Sequence, residues 1–254
     1  MPQPTRESLR ADLQSLGTPP GGIVLVHSSF RAIGAADPET VFGALLDVLG
    51  PEGTLLVPAL SYLQEPPDVH DARTTPTCVG YLAERFRTRP GVLRSLHPTH
   101  SVCGIGRQAE MLLADHAEDE TPCGPCSPFR RLIEQGGSIL MLGCGLAPNT
   151  TMHAIEELVQ PPYLFGPRRL YTITDLRGRT WRKEYVTHGF AGYSQRYDRA
   201  AELLAPSEIR SGTVGAAKAY LMDAAALCEC ALGQMREDPF AFVEPIAPPR
   251  PPAR

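Results

Sequence analysis

The stretch "NTTMHAIEE", residues 149 to 157, places His153 three residues before Glu156. On a helix that spacing sets both side chains on one face. The apolar "SILMLGCG" runs into it as a buried strand ending in glycines, and Asn149, Thr150 or Thr151 can cap the helix that follows. His153 then falls in the first turn, at the positive end of the helix dipole, which favours a neutral ring. A neutral imidazole accepts protons, as a general base must, and a carboxylate beside it can hold one tautomer. The plain alternative is a surface helix with a partly buried structural histidine.

Three other stretches carry candidate chemistry. "LVHSSF", 25 to 30, ends an apolar run abruptly in His27, Ser28 and Ser29, followed by Phe30. Serines are common in turns, yet in open α/β sheets ligands sit beyond the carboxyl ends of strands. "RSLHPTHS", 94 to 101, sets His97 and His100 beside Arg94, Ser95 and Ser101. Arginine and serine suit a phosphate or another anion; the alternative is an ordinary polar loop around Pro98. "CGPCS", 123 to 127, is a C-x-x-C that could build a zinc site with His97, His100 or His116. It has no second C-x-x-C and no thioredoxin-like setting, so free thiols in a loop are the simpler reading. Finally "DHAEDE", 115 to 120, gathers four carboxylates in six residues. That is a solvated loop or a face for a cationic substrate.

These residues need a scaffold, and the chain is long enough for one. It has 254 residues, 43% hydrophobic and 20% charged, which fits one large domain or two small ones. A net charge of −4 carries no nucleic-acid footprint. No apolar run approaches the roughly 20 residues of a membrane helix, and "MPQPTRESLRADLQ" lacks a signal-peptide core. Seven cysteines, an odd number, read as reduced thiols and the protein as cytoplasmic.

The elements follow from pattern. Thr5 caps a helix whose Leu9, Leu13 and Leu16 share a face before Gly17. Residues 22–27 form a short strand. Asp37-Pro38 opens a helix through Val41, Leu45 and Val48 to Gly50-Pro51. "GTLLVPAL" is a strand, and 80–88 and 106–116 are helical. "RRLYTITD" and "RTWRKEYVT" make a β-hairpin around "LRGR", expected to extend one edge of the sheet, and a long helix spans about 213–236. Alternating strands and helices predict an α/β fold with helices on both faces of a largely parallel sheet.

In order and spacing, "GIVLVHSSFRAIG", "GPEGTLLVPAL", "GVLRSLHPTHSVCGIGRQAE", "SPFRRL" and "LMLGCGLAPNTTMHAIEE" resemble the aminoglycoside 3-N-acetyltransferase family. "QRYDRAAELL" and "GTVGAAKAYLMDAA" fit the same pattern, so the likeness covers about residues 6 to 243. The resemblance implies a three-layer α/β/α sandwich, distinct from the GCN5-related acetyltransferase fold, in one domain over 1–243, while the proline content of 244–254 reads as an extended or disordered tail. It implies acetyl transfer from acetyl-coenzyme A to an amine, the 3-amino group of an aminoglycoside, with no metal.

Carried over residue by residue, the resemblance makes His153 the base, Glu156 its partner, and puts Thr151 beside the reacting carbonyl. Coenzyme A would meet His27, Ser28, Ser29, Phe30, Arg94, Ser95, His97 and Ser101. The acceptor would meet Asp71, Glu118, Asp119, Glu120 and Glu157. One departure stands out: family members commonly carry Phe-Asp before "TPTCVGYL", where this chain has His70-Asp71. The expected partner is a small amine, with no nucleic acid or membrane; a homodimer is compatible with the sequence. Two rivals remain open: a zinc hydrolase on His97, His100, Cys123 and Cys126, and a coenzyme A-binding relative acting on another amine or without turnover.

Overall fold

The computed structural model describes residues 3–64 and 68–246. The first half of the chain contains α1 (Arg6–Leu16), β1 (Ile23–Ser28), α2 (Phe30–Ile33), α3 (Pro38–Leu49), β2 (Thr54–Pro58), β3 (Val69–Asp71), α4 (Tyr81–Arg87), β4 (Leu93–Arg94), β5 (Val102–Gly106) and α5 (Ala109–Leu113). A 3-10 turn, His116–Glu118, leads on to α6 (Pro128–Glu134), β6 (Ser138–Leu142), α7 (Thr151–Val159), β7 (Phe165–Thr174), β8 (Thr180–His188) and β9 (Tyr193–Gln195). Last come α8 (Asp198–Ala201), β10 (Ile209–Val214), β11 (Ala217–Asp223), α9 (Ala224–Glu237) and β12 (Val243–Pro245).

Local chemistry sets the helix ends where the sequence places them. Thr5 and Ser8 cap α1 reciprocally, and Gly17 closes it at φ 90°, a conformation that favours glycine. Asp37 accepts from Thr40 N ahead of Pro38, and α3 stops at Gly50.

Seven strands form the central sheet in the order β10-β11-β6-β1-β2-β5-β4. Its middle is parallel, β6 with β1 and β1 with β2. The pairs on both flanks are antiparallel, so the sheet is mixed rather than parallel throughout. Alternation along the strands divides two apolar cores. Val24, Val26, Leu55 and Val57 pack with α1, α3 and α4, and Ile23, Leu25, Leu56 and Met141 pack with α5, α6, α7 and α9. His27 follows Val26, so it lies on the α7 side of the sheet.

Three expectations change. The hairpin β7–β8 forms as expected but does not join the central sheet; β3 pairs with β7 instead, giving a separate three-stranded sheet. Residues 213–223 are strand rather than helix, and only α9 is helical there. "GTVGAAKAYLMD" looks helical through its alanines, but Gly215 turns the chain at φ 62° and β11 gains a ladder on β6. Tertiary pairing overrides alanine's helix preference. The segment expected to be helical from 106 contains only the short α5, preceded by β5, whose glycines Gly104 and Gly106 disguise a strand. Glu244 and Pro245 belong to β12, which pairs with β9; residues 247–254 of the expected tail lie outside the described residues.

Candidate active site

A cavity of about 630 Å³ opens at the carboxyl ends of the three parallel strands. His27 and Ser28 of β1, Val57 and Pro58 of β2, and Cys144 with Ala147, Pro148, Asn149 and Thr150 beyond β6 build one wall. Parallel strands deliver all their ends to one side, which is why ligand crevices form there. The facing wall comes from Tyr62, Thr99 and His100, from Arg169 and Tyr171 of β7, and from Thr187, His188, Phe190, Gln195 and Tyr197.

His153 sits between them in the first turn of α7, which Asn149 opens by accepting from Thr151 N through Oδ1 at 3.2 Å. Its Nδ1 lies 3.3 Å from Glu156 Oε2 and 2.9 Å from the Tyr197 hydroxyl. Glu156 is fully buried, and Tyr163 OH at 2.9 Å and Tyr197 OH at 2.7 Å both donate to it. With Nδ1 so engaged, Nε2 is the nitrogen left for the cavity. The ring packs against His188 and Phe190, each 5.1 Å away between centroids, and His100 at 5.7 Å. The sequence-predicted pair therefore forms.

A second pair stands beside it. His188 Nε2 lies 2.7 Å from Glu157 Oε1, whose carboxylate also accepts from Cys123 N at 2.8 Å and Thr121 Oγ1 at 2.5 Å. Burial raises the Glu157 carboxyl to about 7, while the bonds from Thr121 and Cys123 pull it back down. Burial also holds His188 well below the usual histidine range, so the ring is neutral and donates Nε2–H to the carboxylate. Glu157, expected at the acceptor, instead ties α7 to β8 and to the loop carrying Thr121. His27 is held near 3 by burial first, and His97 and His100 are lowered well below their ordinary value by the same cause.

The other expected site residues scatter. His27 and Ser28 line the cavity; Ser29, Phe30, Arg94, Ser95, His97 and Ser101 do not. Ser29 carries the start of α2, and Phe30 packs on Tyr81 at 5.4 Å. Arg94 is buried, donating to Ser101 Oγ at 2.8 Å and to the carbonyls of Thr75 and Ala59 at 2.6 and 3.0 Å. Ser95 Oγ is 2.9 Å from His116 Nδ1, and His97 stacks on His116 at 4.9 Å. These groups hold loops together; they are polar because the loop carbonyls and N–H groups they serve are buried. Thr151 is fully buried off the wall, where Thr150 and Asn149 stand instead.

None of Asp71, Glu118, Asp119 and Glu120 lines the cavity. Asp71 accepts from Arg73 N and Thr74 N in a turn, Asp119 accepts from Cys126 N, and exposed Glu120 pairs with Arg168. Among the described residues no Asp or Glu lines this cavity. Nor do Cys123 and Cys126 converge with His97 and His100 on a common point, which removes the donor set of the zinc-hydrolase reading.

Sequence reasoning missed Tyr163 and Tyr197 as supports of Glu156, and His188 as the partner of Glu157. Tyr197 lies in the "QRYDRAAELL" stretch, but nothing in its spacing links it to a residue 44 positions earlier.

Comparison with known proteins shows which family the fold belongs to. A family profile described as Aminoglycoside 3-N-acetyltransferase matches residues 25–236. Aminoglycoside N(3)-acetyltransferase IV of Salmonella sp is 34% identical, over 94% of this chain and 90% of its own. Aminoglycoside N(3)-acetyltransferase VII of Streptomyces paromomycinus is 34% identical, over 92% of each chain. Among solved structures, a mutant of aminoglycoside acetyltransferase AAC(3)-IVa in complex with a gentamicin superposes with a TM-score of 0.83 at 33% identity, covering 98% of this chain and 93% of that one. AAC-IIIb, solved with CoASH, gives a TM-score of 0.81 at 30% identity over 97% of this chain and all (100%) of its own. The chain belongs to the aminoglycoside 3-N-acetyltransferase family.

Proposed function

We propose that this chain transfers an acetyl group from acetyl-coenzyme A to the 3-amino group of an aminoglycoside. The observation that carries the reading is His153, fixed through Nδ1 by Glu156 and Tyr197, with Nε2 left for the cavity. Solved relatives hold CoASH in one case and a gentamicin or apramycin in others.

In this reading the amine nitrogen attacks the thioester carbon while His153 Nε2 takes its proton. The C–N bond forms and the C–S bond breaks. The coenzyme A thiolate leaves and takes up the proton, so amine and thioester become amide and thiol. Glu156 holds the ring tautomer and offsets the positive charge that His153 gains. Much of the acceleration comes from holding both substrates in one cavity. The acetyl donor is assigned to the wall of His27, Ser28, Asn149 and Thr150, and the acceptor to the wall of Tyr62, Thr99, Tyr171 and Gln195. Glu156, directly behind His153, supplies most of the negative field a polycation needs, and exposed Glu118 adds to it at longer range.

The same reading takes residues 1–243 as one domain with three layers, α/β/α, unlike the GCN5-related acetyltransferases. The two apolar cores on opposite faces of the sheet support it. Seven free cysteines support a reducing compartment, and no described helix is long and apolar enough to cross a membrane.

The test is mass spectrometry of products formed from acetyl-coenzyme A and aminoglycosides with or without a 3-amino group on the central ring. Acetylation of the first set alone is expected. Acetylation of a small monoamine but of neither set would overturn the aminoglycoside assignment and leave N-acetyl transfer standing.

A further inference from the structure

The cavity holds a histidine cluster of which acetyl transfer uses only His153. One ring nitrogen from each of His100, His153 and His188 lies within 4.8 Å of the other two. The three come from separate places: the loop between β4 and β5, helix α7, and the end of β8. Each ring is already held from outside by one nitrogen. His100 Nδ1 is 2.9 Å from Thr99 Oγ1, His153 Nδ1 is 3.3 Å from Glu156, and His188 Nε2 is 2.7 Å from Glu157. That leaves His100 Nε2, His153 Nε2 and His188 Nδ1 for the shared space. His188 Nδ1 is buried with no hydrogen-bond partner, on a side chain only 4% exposed.

An unpartnered buried lone pair costs free energy unless something fills it. Three imidazoles, each fixed at its far nitrogen, match the way metal-binding histidines are oriented by carboxylate and hydroxyl partners. The two carboxylates behind the rings, Glu156 and Glu157, balance a double positive charge. Imidazole suits zinc, copper and nickel, and three ligands with an open fourth position suit tetrahedral zinc. With Zn–N bonds of about 2.0–2.1 Å the nitrogens would stand roughly 3.4 Å apart. The rings must therefore close in slightly, and the open cavity permits it.

We propose that His100, His153 and His188 form a zinc site whose occupation blocks acetyl transfer by engaging the Nε2 lone pair of His153. The binding half stands on the geometry alone; the blocking half rests on His153 as the base. The metal is an inhibitor here and has no part in turnover.

The test uses the full chain stripped of metal, titrated with Zn²⁺ by calorimetry and with Co²⁺ by visible absorption. One ion per chain is expected, with tetrahedral cobalt bands and no thiolate-to-metal band. His188→Ala and His100→Ala should each weaken binding at least tenfold, while Cys144→Ser, at a thiol on the same cavity, should leave it unchanged. Circular dichroism of the metal-free variants checks folding, and His188→Gln stands in if an alanine variant fails to fold. Transfer is followed by mass of the acetylated product, because released coenzyme A binds zinc through its thiol. Loss of transfer at saturating zinc, in step with binding, supports the proposal. No stoichiometric binding, a thiolate band, or undiminished binding in His188→Ala would overturn the site and leave His153 as base. Zinc bound through the three histidines with transfer at full rate would overturn the blocking half and unseat His153 as base.

Discussion

Two histidine–carboxylate pairs share helix α7, and they are built differently. His153–Glu156 lies within the helix, three residues apart, and its carboxylate is fully buried under the hydroxyls of Tyr163 and Tyr197. His188–Glu157 joins the end of β8 to the same helix, 31 residues apart, and its carboxylate also anchors Thr121 and the backbone of Cys123. Glu156 holds His153 Nδ1, and the Tyr197 hydroxyl that donates to it also contacts that nitrogen, so this carboxylate serves the histidine. Glu157 divides its bonds between a histidine and a loop, so it serves the fold as much as the ring. Adjacent residues on one helix thus acquire separate tasks, because successive helical positions point about 100° apart.

The predictions follow from that division. The largest effect belongs to the first pair: His153→Ala should lower kcat by roughly 10²–10⁴-fold, with coenzyme A affinity near normal by calorimetry. His188→Ala should lower kcat by no more than about tenfold, since it removes no transferred proton; equal losses from the two would erase the distinction.

Next, Glu156→Gln should cost about 10²-fold in kcat, because an amide can donate to Nδ1 and impose the wrong tautomer. Glu157→Gln should instead act first on stability, lowering the urea midpoint by removing a buried carboxylate from three donors, at roughly 1–3 kcal/mol. A Glu157→Gln variant with wild-type stability but Glu156-like kinetics would reverse the assignment.

The tyrosines refine the picture at smaller scale. Tyr197 contacts both Glu156 and His153, whereas Tyr163 contacts only Glu156. Tyr197→Phe should reduce kcat by about fivefold, matching the roughly 1 kcal/mol of one hydrogen bond to the reacting pair. Tyr163→Phe should change kcat far less while costing similar stability, and the two steady-state rates side by side decide it.

A last test moves from catalysis to stability and probes the burial that both pairs share. His116 lies outside them and burial, its largest influence, lowers it from the ordinary 6.5 to about 3. Between those values the unfolded chain binds the proton and the folded chain does not, so stability from this group is complete above about pH 6.5 and drains as the pH falls toward 3. In urea unfolding at several pH values, His116→Gln should flatten the acid-side slope by up to about 1.4 kcal/mol per pH unit. An unchanged slope would mean that His116 is not held neutral.

The sequence by itself determined what depends on neighbours along the chain. Helix caps at Thr5 and Asp37, the strands that end at His27-Ser28 and just before Gly143, the β7–β8 hairpin and the His153–Glu156 spacing are all local, because a hydrogen bond three residues away or an alternation of period two leaves its mark in the order of residues. Only the tertiary structure decided the rest. Arg94, Ser95 and Ser101 have the composition of an anion site, but carbonyls brought from residues 59 and 75 consume Arg94 and Ser101, and His116 and the Val102 backbone occupy Ser95. The "GTVGAAKAY" stretch has the composition of a helix, but β6 offers it a ladder. His188 meets Glu157, and Tyr197 meets His153, through chain reversals that no spacing encodes, since side chains converge by packing and the order of residues records only which of them are available to converge.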